Sequence, residues 1–308
     1  MLKYVIRRLL LVIPTLFFVA LITFVLAQAA PGSPFDKNET KPLPVATIER
    51  LNRFYGLDRP VYEQFVVFLG NAVRLDFGVS LQRDRSVNDI IGQGLPRTAQ
   101  LGVMALFVAL AVAIPLGVVS ALKQNSAIDY ASVFLSTIGT TIPSFVLAIV
   151  FIYFFGVLLK LLPFVGWGDG LDRRMIMPTV ILALGPMAFL TRITLASMLE
   201  AIRQDYVRTA RSKGLGEQVV IVTHVLKNAL IPVATVLGPA AAALVTGSFI
   251  IETIFSVPGV GREYIRSILA RDYPIIMGTT MLYAAVIVIA NLTVDLVYGM
   301  LDPRIKVA

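Results

Sequence analysis

The stretch Thr98–Leu122 reads TAQLGVMALFVALAVAIPLGVVSAL and carries no charged side chain over 25 residues. An α-helix needs about 20 apolar residues to cross the hydrocarbon core of a bilayer, so this stretch is long enough to span it. Its apolar residues are continuous, whereas the strands of a membrane barrel alternate over about 10 residues. The stretch therefore predicts a transmembrane helix, and its recurrence along the chain decides the fold class.

Five further uncharged runs have bilayer length or nearly so: Leu9–Phe35, Tyr130–Leu159, Met175–Thr191, Ala229–Ile251 and Pro274–Val294. Only 15% of all residues are charged, where soluble globular chains carry about 25%. We therefore expect an all-α membrane protein with six transmembrane helices. The first run exceeds the apolar core of a signal peptide, so we expect it to be retained as a helix.

Basic residues beside the runs indicate the orientation, because lysine and arginine favour the cytoplasmic side. With the N-terminus inside, the short inner loops carry eleven basic residues and the outer loops six. Six crossings then place both termini in the cytoplasm. We divide the chain into residues 1–97, with the first helix and an extracytoplasmic insert, and residues 98–308, with five helices. Apolar residues at helical spacing predict two short amphipathic helices over the bundle mouth within Thr47–Leu69.

Several predicted spans contain proline, which removes a backbone donor and bends a helix. We single out Pro143 with the adjacent Ser144, Pro186 and Pro239 as residues at kinks or along a transport pathway. Ordinary helix packing is an equal alternative for any one of these prolines, since kinks are common in membrane helices.

The connection at residues 200–228 holds the most informative sequence, EAIRQDYVRTARSKGLGE from Glu200 onward. Asp205 is predicted to cap a short helix that begins at Tyr206. Gly214 is predicted to end it, because glycine enters the left-handed conformation at low cost. Tyr206, Val207 and Ala210 would form a small apolar face, with cations near the C-terminal end at Arg208, Arg211 and Lys213. A linker whose arginines contact phospholipid headgroups is the alternative.

This connection resembles a cytoplasmic loop of the permease subunits of bacterial ATP-binding-cassette importers. The resemblance is to the oligopeptide and dipeptide branch, and it rests on the string Asp205–Leu215 followed by His224, Asn228 and Pro232. Motifs along nearly the whole chain share this resemblance: Arg7-Arg8, Ala30–Pro34, Leu75–Gly78, Ile142–Phe145, Glu252–Phe255, Pro258–Gly261, Arg271–Tyr273 and Asp302–Arg304. The short connection from Pro163 to Met175 is more similar to the oligopeptide-type subunit.

The resemblance implies a type I importer permease fold in a bacterial cytoplasmic membrane. It also implies partners: a homologous second permease, two cytoplasmic ATP-binding subunits and an extracytoplasmic peptide-binding protein. The short helix would sit in a cleft of the ATPase and transmit its closure to the membrane helices through Asp205, Tyr206, Val207, Arg208, Thr209, Ala210, Arg211, Lys213 and Gly214. Arg208 and Thr209 stand where the wider importer family has glutamate and alanine, a change that the peptide branch itself shows.

The chain itself offers no site for chemistry. It has no Gly-Lys dipeptide and so no phosphate-binding Walker loop, and it has no cysteine. We therefore expect no enzymatic activity, cofactor or metal. The net charge of +8 lacks the basic patch with stacking aromatics that would indicate nucleic acid. His224 is interpreted as structural, and Arg192 and Asp295 as anchors at the membrane edge.

Two other functions remain open at this stage. A stand-alone secondary transporter or channel would be favoured by inverted repeats and ionisable residues at mid-membrane, and neither is found. An assembly scaffold without a pathway is the third hypothesis.

Overall fold

The computed structural model describes residues 2–29, 49–50, 52–54, 56–168 and 172–301, and the helices named here belong to those ranges. They are α1 Leu2–Ala29, α2 Val61–Val73, α3 Val87–Leu122, α4 Ala127–Thr141, α5 Ser144–Phe151, α6 Ile176–Ile202, α7 Asp205–Ser212, α8 Glu217–Val219, α9 Lys227–Val245, α10 Phe249–Ile254, α11 Val260–Ala270 and α12 Tyr273–Leu301. A 3₁₀ turn, Arg173–Met175, precedes α6, and π-helical segments follow α5 at Ile152–Leu158 and α8 at Val220–Leu226.

Five helical stretches are long and apolar enough to cross a membrane: Leu10–Ala29, Val87–Leu122, Arg173–Ile202, Glu217–Leu244 and Tyr273–Thr293. A sixth crossing exists only if Ala127–Thr141 and Ser144–Leu158 are counted together. The prediction of an all-α membrane protein is confirmed. Continuous apolar runs form helices in a membrane because a helix satisfies its backbone hydrogen bonds internally.

The third predicted span, Tyr130–Leu159, is broken in the middle instead of running straight. Its two halves meet at an angle of 108°. Ile142 is extended, with φ −84° and ψ 125°, and Pro143, which has no backbone N–H, follows it. A residue before proline is pushed out of the helical region, which explains the break at this point. By contrast, α3, α6 and α9 continue through Pro115, Pro186 and Pro239.

The fifth predicted span, Ala229–Ile251, is wrong at its C-terminal end. Helix α9 stops at Val245, and Gly247 takes a left-handed φ of +76°. The side chain of Ser248 then caps α10 by accepting a hydrogen bond of 3.3 Å from the amide of Ile251. A separate short helix therefore begins where the sequence predicted continued membrane span.

Small side chains let the central helices approach closely. A Cβ added to Gly117 of α3 would lie 2.6 Å from the Cβ of Thr194 in α6. One face of α3 is a fully buried alanine ladder, Ala105, Ala109 and Ala113. Close contact of small residues is the usual packing mode in membrane bundles, so α3 and α6 form the centre of this one.

The second helix of the insert, α2, packs against α1. Its Phe65 contacts Phe17 and Phe24, and the placement of the insert over the bundle mouth stays a prediction. The first of the two predicted insert helices lies partly outside the described residues, and its described residues, 49–50 and 52–54, are helical. The predicted division between residues 97 and 98 falls inside α3, so it stays a prediction about organisation.

Candidate functional site

Helix α7 is docked on the end of the membrane bundle by two side chains. Val207 is fully buried and Ala210 is 5% exposed. They pack in one apolar cluster with Ala121, Met198, Ala201, Val220, Val225 and Ala229, which belong to α3, α6, the π-helical segment and α9. Since Val207 and Ala210 are three residues apart, they share one face of the helix. Movement of α7 is thereby tied to the ends of three membrane helices.

The outer face of α7 is exposed within the described chain and carries charged and polar side chains together with Tyr206. Tyr206, which we predicted on the apolar inner face, is 40% exposed and is not part of the cluster. The reason is helical geometry, since consecutive residues are about 100° apart and Val207 already occupies the buried direction. Exposed residues on this side also include Asp205, Arg208, Thr209, Arg211 and Lys213.

The N-terminus of α7 differs from the predicted capping. Gln204, with φ −74° and ψ 150°, is the cap residue, and no side chain accepts a hydrogen bond there. Asp205 is instead the first helical residue, and its carboxylate lies 3.5 Å from Arg208. A carboxylate in the first turn still suits the helix dipole, so Asp205 stabilises the helix without capping it.

The C-terminus of α7 ends as predicted, at Gly214 in the left-handed conformation with φ +76°. The Gly214 amide donates to the carbonyl of Arg211 at 2.9 Å, and the Leu215 amide to that of Ala210 at 3.4 Å. This pair of bonds is the Schellman motif, which satisfies carbonyls that the helix leaves free. The chain therefore turns sharply after α7 toward α8.

An ion pair closes this turn from outside. Arg211 Nε donates to Glu217 Oε2 at 3.1 Å, and Arg211 Nη2 donates to Glu217 Oε1 at 2.6 Å. Two parallel hydrogen bonds fix the guanidinium plane against the carboxylate. The pair joins α7 to α8, so α7 and the helix leading into the membrane share one rigid turn.

An apolar groove of about 790 Å³ opens on the side of the bundle between α4, α5, α6 and α9. Three of the four residues singled out from the sequence line it, namely Ser144, Pro186 and Pro239. Pro143 does not line it but makes the bend beside it. The groove exists because α4 and α5 turn away from each other at that bend. No pattern in the sequence predicted that these residues share one cavity wall.

Sequence reasoning assigned no role to a buried carboxylate at Glu252 in α10. Its side chain is fully buried, and its Oε2 accepts a hydrogen bond of 3.2 Å from the Arg262 amide. A Cβ at Gly259 or Gly261 would collide with this carboxylate. The sequence signal for this buried carboxylate was the pair of glycines in Pro258–Gly261, since glycine allows close approach of a neighbouring group.

Glu252 lies in the connection between two membrane spans and ties that connection to α3. Thr98 of α3 accepts a hydrogen bond of 2.9 Å from the Val260 amide and lies beside the carboxylate. Burial raises the pKa of Glu252 to about 7, although hydrogen bonds from Arg262 and Thr98 oppose the shift. Desolvation of the charged form is the dominant cause.

The remaining predicted polar residues are dispersed. Arg192 is exposed on α6 and donates a hydrogen bond of 2.8 Å to Thr137 of α4. His224 lies in the π-helical segment, where its carbonyl accepts from Asn228. The side chain of Asp295 lies outside the described residues. Within the described ranges no cluster of histidine, aspartate and glutamate is suited to hold a metal.

Two family models together match most of the chain. Residues 113–307 match the binding-protein-dependent transport system inner membrane component, and residues 1–102 match the N-terminal membrane component of the same systems. The chain belongs to this family. Helix α7 and the groove of this inner membrane component both lie within residues 113–307, the larger of the two matched regions.

Characterised relatives align with this inner membrane component from end to end. It is 44% identical to the dipeptide transport system permease protein DppB of Bacillus subtilis, over 99% of this chain and 98% of the relative. It is 40% identical to the oligopeptide transport system permease protein OppB of Escherichia coli K12, over 99% and 100%. Relatives of both the dipeptide and the oligopeptide kind therefore match this chain over its full length.

A solved structure shares the fold. A chain of the MetNI methionine ABC transporter, in inward-facing conformations, superposes with a TM-score of 0.53 at 16% identity. The match covers 69% of this chain and 96% of that one. At this identity the likeness concerns the fold alone, which is that of an ABC importer, as predicted.

Proposed function

We propose that this chain is the membrane-spanning permease subunit of an ATP-driven peptide importer and forms half of its translocation pathway. The observation that carries the proposal is the end-to-end similarity to permeases named for dipeptide and oligopeptide transport. Peptide is the substrate class that both names share. The other half of the pathway comes from a homologous second permease, and an extracytoplasmic binding protein delivers the peptide.

Helix α7 is the coupling element in this proposal. Its inner face is buried against the ends of α3, α6 and α9, while its outer face presents Tyr206, Arg208 and Lys213. The outer face docks in a cleft of a cytoplasmic ATP-binding subunit. Closure of two such subunits displaces α7 as a rigid body, and the buried face transmits that displacement to the membrane helices.

The groove beside the bend at Pro143 is the part of the pathway that this subunit supplies. Its apolar lining offers no strong polar contacts, which suits a path that must release varied peptides. Facing walls from the second permease complete it. Alternating access then needs no chemistry within this chain.

The topology follows the charge bias in the loops. Counting α4 and α5 with its π-helical extension as one crossing gives six crossings, with both termini and α7 in the cytoplasm. Tags at the two termini test this: both should react with membrane-impermeant reagents only after the membrane is opened. A tag that reacts in intact cells would overturn the topology.

Reconstitution tests the function. Vesicles that contain the purified chain alone should accumulate no peptide. Addition of the second permease, the ATP-binding subunits and the binding protein should give ATP-dependent uptake. Uptake by the chain alone under an ion gradient would instead establish the stand-alone transporter, and a complete assembly that moves nothing would favour a scaffold.

A further inference from the structure

Helix α2 is apolar on both of its sides. The side turned toward the chain carries the partly buried Phe65 and Phe68, and none of the residues of α2 is buried. The opposite side carries Tyr62, Val66, Val67 and Val73, with exposures of 49–86%, and its one charged residue is Glu63 near the start of the helix. A helix with large apolar side chains on two sides is stabilised when an apolar medium covers the second side. The outward side of α2 therefore requires an apolar neighbour.

The depth of α2 follows from its contact with α1. The ring of Phe65 lies 6.0 Å from that of Phe17 and 5.1 Å from that of Phe24, measured between centroids. Phe17 and Phe24 are two turns apart, about 10 Å along the helix axis. Both lie well inside the Leu10–Ala29 span. Phe65 is thus held at the level of the hydrocarbon core and not above it.

The two ends of α2 are marked by cations. Arg59 precedes the helix and Arg74 follows it, and both are exposed. Long basic side chains reach from apolar segments to the headgroups of a bilayer. Glu63 is the single charge within the helix and lies in its first turn, where the dipole stabilises it. This arrangement fits a helix that enters the membrane and keeps its ends at the surface.

The length of α2 excludes a crossing. Thirteen residues extend for about 20 Å, which is shorter than the hydrocarbon core of about 30 Å. The exposed apolar surface continues from α2 onto α1, where Phe18, Ile22 and Leu26 are 57–66% exposed. Since α1 crosses the bilayer at the edge of the bundle, this continuity identifies the neighbour as lipid.

We propose that α2 is embedded in the leaflet at the C-terminal end of α1, and that its outward face binds acyl chains. Val66 and Val67 contact those chains, while Arg59 and Arg74 lie at the level of the phosphate groups. The insert is then a membrane-inserted element and not a cap in the aqueous space. This lipid surface is independent of the peptide substrate and of α7.

Spin-label accessibility tests the proposal, because the chain has no cysteine and single cysteines can be introduced cleanly. The full-length chain, with the subunits that co-purify, is reconstituted in phosphatidylethanolamine and phosphatidylglycerol vesicles. Labels are placed at Val66→Cys, at Leu26→Cys as the lipid control in α1, and at Asp84→Cys as the aqueous control. Collision rates are measured with molecular oxygen and with a water-soluble nickel chelate.

The ratio of oxygen to nickel collisions at Val66→Cys should equal that at Leu26→Cys and exceed that at Asp84→Cys. A label at Arg74→Cys should give an intermediate ratio, since it lies near the headgroups. Two results would overturn the proposal: a ratio at Val66→Cys equal to that at Asp84→Cys, which means water, or low collision rates with both reagents, which means a covering protein.

Discussion

Arg211 and Glu217 form a two-point ion pair across the turn that contains Gly214, at 2.6 and 3.1 Å. The pair is about half exposed, and exposed ion pairs add little to global stability. Its effect is local, because it fixes α7 relative to the helix that enters the membrane. Rigidity at this turn is what a coupling element needs.

Reversal of this pair provides the first prediction. Glu217→Arg places two cations together and should lower ATP-dependent peptide uptake in the reconstituted transporter, with little change in the unfolding temperature. The double variant Arg211→Glu with Glu217→Arg should recover most of the uptake. If the double variant stayed as inactive as the single one, the arginine would act through a partner subunit and not through the turn.

Gly214→Val should uncouple ATP hydrolysis from uptake while the chain still inserts in the membrane. A left-handed conformation costs a residue with a Cβ about 1–2 kcal/mol, and a β-branched one is affected most. Gly216 is the matched control, because its φ of −62° and ψ of 145° suit valine. Uptake per ATP should fall for Gly214→Val and not for Gly216→Val.

Ala210→Asp should release α7 from the bundle. The site is 5% exposed among apolar neighbours, so an unpaired carboxylate there costs on the order of 3 kcal/mol. Limited proteolysis should then cleave the connection near α7 faster, and uptake should be lost. Thr209→Asp adds the same charge on the exposed face and should leave cleavage unchanged. Equal cleavage of both variants would contradict the docking described for α7.

Glu252 makes the stability of the chain depend on pH. The pKa of about 7 in the folded chain is above its ordinary value of 4.5, so the folded state retains a proton that the unfolded state loses. The stabilisation is complete below pH 4.5 and is lost as pH rises through 7. The corresponding free energy is on the order of 3 kcal/mol.

Glu252→Gln should therefore flatten the fall in unfolding temperature between pH 5 and pH 8, measured on the detergent-solubilised transporter. Glu200→Gln, an equivalent change at an exposed site at the C-terminal end of α6, should keep the slope of the unaltered chain. An unaltered slope in Glu252→Gln would mean that another group titrates.

A bulky residue in the groove should obstruct transport. Ala243 is exposed on α9 and lines the groove, so Ala243→Trp should reduce the maximal uptake rate without changing assembly. Val103→Trp adds the same ring at a 57% exposed site of α3 that does not line it. If both variants transported at the same rate as the unaltered chain, the groove would lie off the path.

The sequence predicted the membrane helices well because bilayer thickness imposes a length that few other environments require. It failed where one residue changes the backbone direction. Pro143 produces a break while Pro186 does not, although each proline disfavours the helical region for the residue before it, so this local rule does not distinguish the two. Val245 was likewise expected to continue into Ile251, since nothing in the run itself shows that Gly247 turns left-handed.

The candidate site was predicted in part. Spacing alone placed Val207 and Ala210 on one face and ended the helix at Gly214. It misassigned Asp205, because a carboxylate beside a helix start suits both the cap and the first turn. The buried position of Glu252 was missed. A turn of the chain brings Gly259 and Gly261 against its carboxylate, and the pattern of apolar residues does not predict that turn.

During synthesis, Tyr130–Leu159 reaches the membrane before α6 has been made. The translocation machinery meets one hydrophobic segment of bilayer length, although α4 alone, with 15 residues, is only about 22 Å long. Near the bend, α4 lies close against α6: a Cβ added to Gly139 would lie 3.0 Å from the Cβ of Ala188 and 3.0 Å from the carbonyl oxygen of Leu184. Because α6 follows this segment in the chain, the contacts at Gly139 can form only after α6 has been synthesised, so the bend between α4 and α5 gains this support after the segment itself is complete.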